Sequence, residues 1–166
     1  MWRLFPISAG TKTPALSGDW RLHSSSDPAQ HEAWRAAGYD LAVDCGASGL
    51  LVIDVEAAGM EAAANLDLPS TYTMKTRRGG RHYYYTGEGP NTVQKLAPKI
   101  DSRGVGGYVV WEGEGYELID DRPPVPLPAW VVPALNVKKD RKLSQLESLD
   151  APQNVKRAVA YLTVLR

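Results

Sequence analysis

Asp54-Val55-Glu56 closes the apolar run Leu50-Leu51-Val52-Ile53. Side chains of a strand alternate between its two faces. The two carboxylates therefore point the same way at the tip of a strand. Carboxylates held that close repel each other unless a positive charge lies between them. A divalent cation such as Mg²⁺ or Mn²⁺ is the usual counter-charge, because it prefers hard oxygen ligands. The chemistry this predicts is a metal-dependent reaction on phosphates. A pair that is simply solvated is the plain alternative, so the reading needs partners elsewhere in the chain.

Two further segments supply them. Arg78-Gly79-Gly80-Arg81-His82 is a glycine turn that delivers His82 onto a strand. Glycine lets the backbone approach an anion closely, and exposed N–H groups cradle phosphate. Ile100-Asp101-Ser102-Arg103-Gly104-Val105-Gly106-Gly107-Tyr108 places a third carboxylate at a strand end, ahead of a glycine loop. Asp54, Glu56 and Asp101 offer enough oxygen ligands for two metal ions, which together clamp the attacking and leaving oxygens of a phosphoryl displacement.

The charge pattern agrees locally and is silent globally. Lys+Arg and Asp+Glu are both 19, so net charge does not mark a nucleic-acid binder. From Lys75 to Arg103, however, Lys75, Arg77, Arg78, Arg81, Lys95, Lys99 and Arg103 with His82 are opposed only by Glu88 and Asp101, while Asp40 to Glu61 is acidic. An acidic cluster beside a basic one suits a polyphosphate carried with its metals. The single Cys45 excludes an internal disulfide and a cysteine zinc site. No apolar run approaches the roughly 18 residues of a membrane helix. Arg3 and Pro6 interrupt the only apolar start, so no signal peptide is expected. A cytoplasmic domain without membrane contact follows, and 166 residues at 43% hydrophobic content suit one core.

The elements that must position these residues alternate between strand and helix. Strands are predicted at Trp2–Ile7, Leu41–Val43, Leu50–Val55, Thr71–Thr76 and His82–Thr86, with another ending at Ile100-Asp101. Tyr108–Trp111 and Tyr116–Ile119 read as a hairpin around Gly113 and Gly115. Asp27 caps a helix with Pro28 in its first position, which runs past His31, Trp34 and Ala37 to Gly38, with Trp34 and Ala37 in the core. A second helix is expected over Ala57–Leu66. Cys45-Gly46-Ala47-Ser48-Gly49 is a tight turn. Among the three tyrosines, Tyr83 and Tyr85 read as core and Tyr84, sharing the face of His82, as a base or sugar contact. Five prolines between Asp121 and Pro133 exclude regular helix and central strand, so this segment should wrap the surface with Trp130 as its anchor. Residues 1–133 form the expected catalytic domain. Residues 134–166 hold a basic linker, Lys138–Lys142, and the start of a helix with Val155, Val159, Leu162 and Leu165 at helical spacing. That pattern runs to Arg166, which predicts a longer protein. The fold class is α+β, a mixed or antiparallel sheet with helices packed on it.

The ordered set of motifs resembles the primase-polymerase (prim-pol) domain of phage and plasmid replication proteins, in the archaeo-eukaryotic primase superfamily. The resemblance spans roughly Trp2 to Pro133. It rests on Lys12-Thr13-Pro14 with Trp20, on Gly46-Ala47-Ser48-Gly49-Leu50 leading into Ile53-Asp54-Val55-Glu56, and on Thr76-Arg77-Arg78-Gly79-Gly80-Arg81-His82-Tyr83-Tyr84. Ile100-Asp101-Ser102-Arg103-Gly104, Gly107-Tyr108-Val109-Val110 and Leu127-Pro128-Ala129-Trp130 complete it. It implies an RRM-like catalytic sheet joined to a small αβ unit. It implies template-dependent nucleotidyl transfer, with Asp54, Glu56 and Asp101 holding two Mg²⁺ or Mn²⁺ ions and His82 contacting the incoming triphosphate. Arg78 falls where a basic triphosphate contact is often found, and Arg103 is a weaker candidate of that kind. Lys12, as a template or triphosphate contact, and Ser48 complete the expected nucleotide site. The chain departs at Gly80, where the superfamily motif often has Ser.

The expected activity is that of a DNA polymerase on single-stranded template and primer, using dNTP or NTP; whether it also primes stays open. A C-terminal helicase is the partner expected in the full-length protein. Two other readings remain. A metal-dependent nuclease would use the same carboxylates, but no lysine follows Glu56 closely to activate water. A non-catalytic RRM-like nucleic-acid-binding module would need an aromatic signature that is missing, since the one phenylalanine, Phe5, is far away in sequence.

Overall fold

Leu50–Val55 (β3) is apolar along both faces because both are covered, and a strand buried on two sides loses its polar alternation. In the computed structural model, which describes residues 1–136, β3 lies between two partners. Ile100–Arg103 (β7) runs antiparallel on one side, and Arg81–Thr86 (β5) on the other. The sheet continues through Tyr72–Lys75 (β4) to Glu117–Asp120 (β9), and beyond β7 to Thr92–Ala97 (β6). Val125–Pro126 (β10) adds a short parallel pairing to Tyr85 and Thr86, beyond the first residue of β4, Tyr72, which pairs with Tyr84. β-Branched and aromatic residues dominate β3 and β5, as pleated surfaces favour.

A second, three-stranded sheet is built from Leu4–Ile7 (β1), Asp40–Asp44 (β2) and Tyr108–Glu112 (β8), in the order β1-β2-β8. Its Leu4, Leu41, Val43 and Val109 pack onto Leu50, Val52, Met74 and Tyr84 of the large sheet, with Trp34 beside them. Trp34 comes from Pro28–Ala36 (α1), capped as expected by Asp27, whose carboxylate accepts the Ala29 N–H at 3.0 Å. The opposite face of the large sheet (Leu51, Ile53, Val55, Tyr85, Ile100) is closed by Ala63 of Met60–Ala64 (α2) and by Val131 and Leu135 of Val131–Asn136 (α3). The architecture is α+β with mostly antiparallel sheets.

Several expectations are corrected. Ala37 is exposed and caps α1 instead of packing in the core, because Gly38 turns the chain out at that point. Ala57–Leu66 is not one helix: a 3-10 turn at Ala57–Gly59 precedes the five residues of α2. The predicted hairpin of Tyr108–Trp111 with Tyr116–Ile119 does not form. β8 joins β2 while β9 crosses to β4, so the Gly113–Gly115 turn passes the chain from one sheet to the other. Ile100-Asp101 does not end a strand but opens β7, which runs on to Arg103. No local pattern announces β6, which carries Gln94 at φ 52 and pairs irregularly with β7. In the proline-rich segment α3 does form, since Pro133 lies in its first turn, where a missing N–H leaves no helical bond unmade. Trp130 does anchor that segment, its indole donating to the Asp67 carbonyl at 3.1 Å. The basic linker and the helix expected after Asp150 lie outside the described residues.

Candidate active site

Three neighbouring strands bring one row of side chains together. Asp54 on β3 stands opposite Asp101 on β7 and opposite His82 on β5. The row sits on the face that the smaller sheet covers, at the end where the two sheets part. The result is a cleft of about 360 Å³. Asp54, His82 and Arg103 form one wall, and Gly106, Gly107, Tyr108, Val109 and Val110 another. Lys12, Trp20 and Asn91 line the rest.

Asp54 is the carboxylate that faces this space. Its Oδ1 lies 3.4 Å from His82 Nε2. Burial raises its pKa, but the hydrogen bond and charge of His82, with Lys12 and Arg103 nearby, outweigh that and hold it below the ordinary value. His82 is 2% exposed, and its Nδ1 has no hydrogen-bond partner among the described residues. Asp101 is engaged on both oxygens: Arg103 Nη2 lies 2.6 Å from Oδ2, and the Gln94 N–H donates to Oδ1 at 3.0 Å. Glu56 is exposed and pairs with Lys99 Nζ at 3.2 Å.

The expected carboxylate triad is thus present in order but not gathered. Among the described residues, no three His, Cys, Asp or Glu side chains stand together as a metal-binding group. Each carboxylate instead has a separate partner: His82 for Asp54, Arg103 for Asp101 and Lys99 for Glu56. In donor chemistry the set suits a hard divalent ion, being all oxygen. Lys99 and Glu56 are each about half exposed (47% and 55%), so their pair is worth little more than about 1 kcal/mol and is displaceable.

The remaining candidates divide clearly. Lys12 lines the cleft, and its side chain has no hydrogen bond or ion pair among the described residues; the Tyr108 hydroxyl donates to its carbonyl at 2.7 Å and fixes the loop that carries it. Arg103 also lines the cleft. Arg78 is exposed on the β4–β5 turn and is not part of the lining. Ser48 is used elsewhere: its hydroxyl accepts the Arg3 N–H at 2.9 Å and ties β1 to the β2–β3 turn. Tyr84 is no surface contact. It is fully buried, stacked on Trp2 at 5.2 Å and flanked edge-on by Tyr72.

Gly80 has a steric cause. A Cβ there would collide with the Val55 carbonyl oxygen and stand 3.1 Å from Glu56 Cα. The β4–β5 turn lies directly on the end of β3, and only glycine allows that approach.

Sequence reasoning missed Lys99 and Asn91. Lys99 reaches Glu56 from the β6–β7 turn, at φ 65, which no local pattern announces. Asn91 follows Gly89-Pro90 and reads as an ordinary turn residue; its partners lie 13 and 14 positions away. Phe5, remote in sequence, stacks beneath Trp20 at 4.5 Å and so supports the cleft wall.

The site is thus a carboxylate–histidine row at a cleft of the two-sheet α+β domain, with Lys12 and Arg103 in its lining. The family model of the bifunctional DNA primase/polymerase N-terminal domain matches residues 1–130, and the chain belongs to that family. At family level the activity is nucleotidyl transfer of the DNA primase/polymerase type, with DNA template and nucleotides as substrates. Enzymes of the family generally use divalent metals. No curated protein matches the chain. Among the described residues no helix is long and apolar enough to cross a membrane.

Proposed function

We propose that this domain adds nucleotides to a 3′-hydroxyl on a single-stranded DNA template, in phage or plasmid replication, with the cleft between the two sheets as the nucleotide site. The observation that carries this is the row Asp101–Asp54–His82 across β7, β3 and β5, with Asp54 and His82 lining the same cleft as Lys12. The strand order β7-β3-β5-β4 also supports an RRM-like catalytic sheet of the primase type, because it places the two central carboxylate strands side by side.

In this reading Asp54, Glu56 and Asp101 hold Mg²⁺ or Mn²⁺. The ions, when bound, lower the pKa of the attacking hydroxyl and offset charge on the triphosphate. Lys12 and Arg103, both in the lining of the cleft, attract and orient the phosphates. His82 holds Asp54 ionised and in position, and stands beside the triphosphate. Arg78, exposed on the β4–β5 turn, and Arg81, exposed at the start of β5, meet the phosphates of the nucleic acid. A helicase partner belongs to the full-length protein in this reading.

Labelled nucleotide incorporation on single-stranded DNA tests it, with and without a primer, with Mg²⁺ or Mn²⁺, and with the Asp54→Ala/Glu56→Ala variant as control. Metal-dependent products absent from the variant support the reading, and the unprimed reaction separates priming from extension. A folded protein that makes no product refutes it.

The second reading is a metal-dependent nuclease. The lysine that the sequence lacks beside Glu56 is present in space as Lys99. Cleavage of DNA without added nucleotide, lost in Lys99→Ala, would favour it.

A further inference from the structure

The loop after β5 and the loop between β7 and β8 lie against each other at the cleft. The Val105 N–H donates to the Gly89 carbonyl at 3.0 Å, and the Ser102 hydroxyl to the Pro90 carbonyl at 2.7 Å. Asn91 stands in the middle of this seam. Its Oδ1 accepts the Gly104 N–H at 2.8 Å, and its Nδ2 donates to the Val105 carbonyl at 3.0 Å. Both ends of the carboxamide are spent on the backbone of one loop, although the residue itself is exposed.

Gly107 closes on the same group: a Cβ there would overlap Asn91 Oδ1. Asn91, Gly106 and Gly107 all line the cleft that holds Asp54 and Lys12. A segment with glycine at 104, 106 and 107 has a large conformational freedom when nothing restrains it. Ordering such a loop at the moment of binding weakens affinity, and ordering it beforehand restores it.

We propose that Asn91 is a positioning residue for nucleotide binding. It clamps Gly104–Gly107 in the shape the cleft presents to the nucleotide, so that the loop is ordered before the ligand arrives. This rests on the cleft being the nucleotide site. The clamp is made of two hydrogen bonds to neutral groups, so its loss should weaken binding by roughly 5- to 30-fold.

The experiment measures dATP binding with Mn²⁺ by calorimetry for the full chain and for Asn91→Ala, Gly107→Ala and the double variant. Steady-state incorporation and amide hydrogen exchange are followed in parallel. Asn91→Ala is expected to weaken dATP binding and raise KM by that factor, with kcat within about twofold, and to speed exchange over Gly104–Gly107 without nucleotide. Gly107→Ala should do the same by expelling the carboxamide. The double variant should be no worse than Asn91→Ala, because the added methyl then has room. Wild-type affinity in Asn91→Ala, or penalties that add in the double variant, would overturn the clamp alone. Absence of dATP binding by the wild-type chain would overturn the nucleotide site and the clamp with it. Should Asn91→Ala fail to unfold cooperatively, Gly107→Ala alone decides, by the same readouts.

Discussion

Asp54 and His82 face each other across β3 and β5, with Oδ1 and Nε2 3.4 Å apart, and His82 is almost fully enclosed while Asp54 keeps a fifth of its side chain exposed. In the proposed reading the histidine is the buried support and the carboxylate, which reaches the cleft, is the working group. A depressed carboxylate pKa contributes stability that is present above the unfolded value and is lost as pH falls through the folded one.

For Asp54 that window lies below 3.8. The stability advantage of wild type over Asp54→Asn should be constant near neutrality and shrink as pH drops from about 4. Urea denaturation of both proteins across pH 2.5–7 checks it. Nucleotide incorporation by Asp54→Asn should fall by more than the roughly 10- to 100-fold seen when outer-shell groups of metal sites are removed. An advantage that grows on acidification would contradict the assignment of His82 as its partner.

Gly80→Ser, which brings the chain closer to the superfamily motif, should make the protein worse. The new Cβ meets the Val55 carbonyl and the backbone of Glu56. Forcing atoms into a packed place typically costs about 1–3 kcal/mol. Thermal unfolding should show a lower midpoint, and incorporation should drop because the end of β3 carries Glu56. A gain in activity at unchanged stability would show that the close approach is not required.

Lys12 and Arg78 should separate. Lys12 lines the cleft and Arg78 does not. Lys12→Ala is expected to raise KM for nucleotide by about 10-fold, on the scale of one charge-assisted contact, and to leave single-stranded DNA binding nearly unchanged. Arg78→Ala should weaken DNA binding and lower its salt dependence by about one phosphate contact. Filter binding over a salt series, beside KM measurements, tells them apart; the opposite assignment would move the triphosphate to the β4–β5 turn.

Tyr84→Phe should be silent in catalysis. The Tyr84 hydroxyl is buried without a hydrogen-bond partner among the described residues. Burial also pushes its pKa well up, so it stays neutral. Removing an unsatisfied hydroxyl from a core is neutral or stabilising by up to about 1 kcal/mol. Discrimination between dNTP and NTP should not change. A shift in that discrimination would restore Tyr84 as a sugar contact.

Most of the individual strands were legible in the sequence because apolar runs, β-branched residues and glycine turns act locally. Leu50–Val55, the cap at Asp27 and the turn before His82 all follow from nearest neighbours along the chain. The placing of Asp54, His82 and Asp101 on three separate strands was legible for the same reason, although Asp101 lies near the start of β7 and not at the end of a strand. What lies opposite what was not. Tyr84 shares a face with His82 as alternation requires, yet becomes core because Trp2 and the smaller sheet cover that face, and covering is a long-range event.

The same holds for the charges and the hairpin. Glu56 is engaged by Lys99, and Asp101 by the Gln94 backbone, from the turn and strand of β6, which has no clear periodicity. β9 pairs with β4 and not with β8, because the exposed edge of the large sheet offers it unpaired backbone groups that the local turn cannot compete with. Sequence alone therefore determined that the candidate residues lie on three separate strands and which family the motifs suit. Tertiary structure decided which carboxylate faces the cleft, which are held by cations, and that an asparagine in a turn holds the glycine loop. Such pairings join residues through space, and no spacing along the chain encodes them.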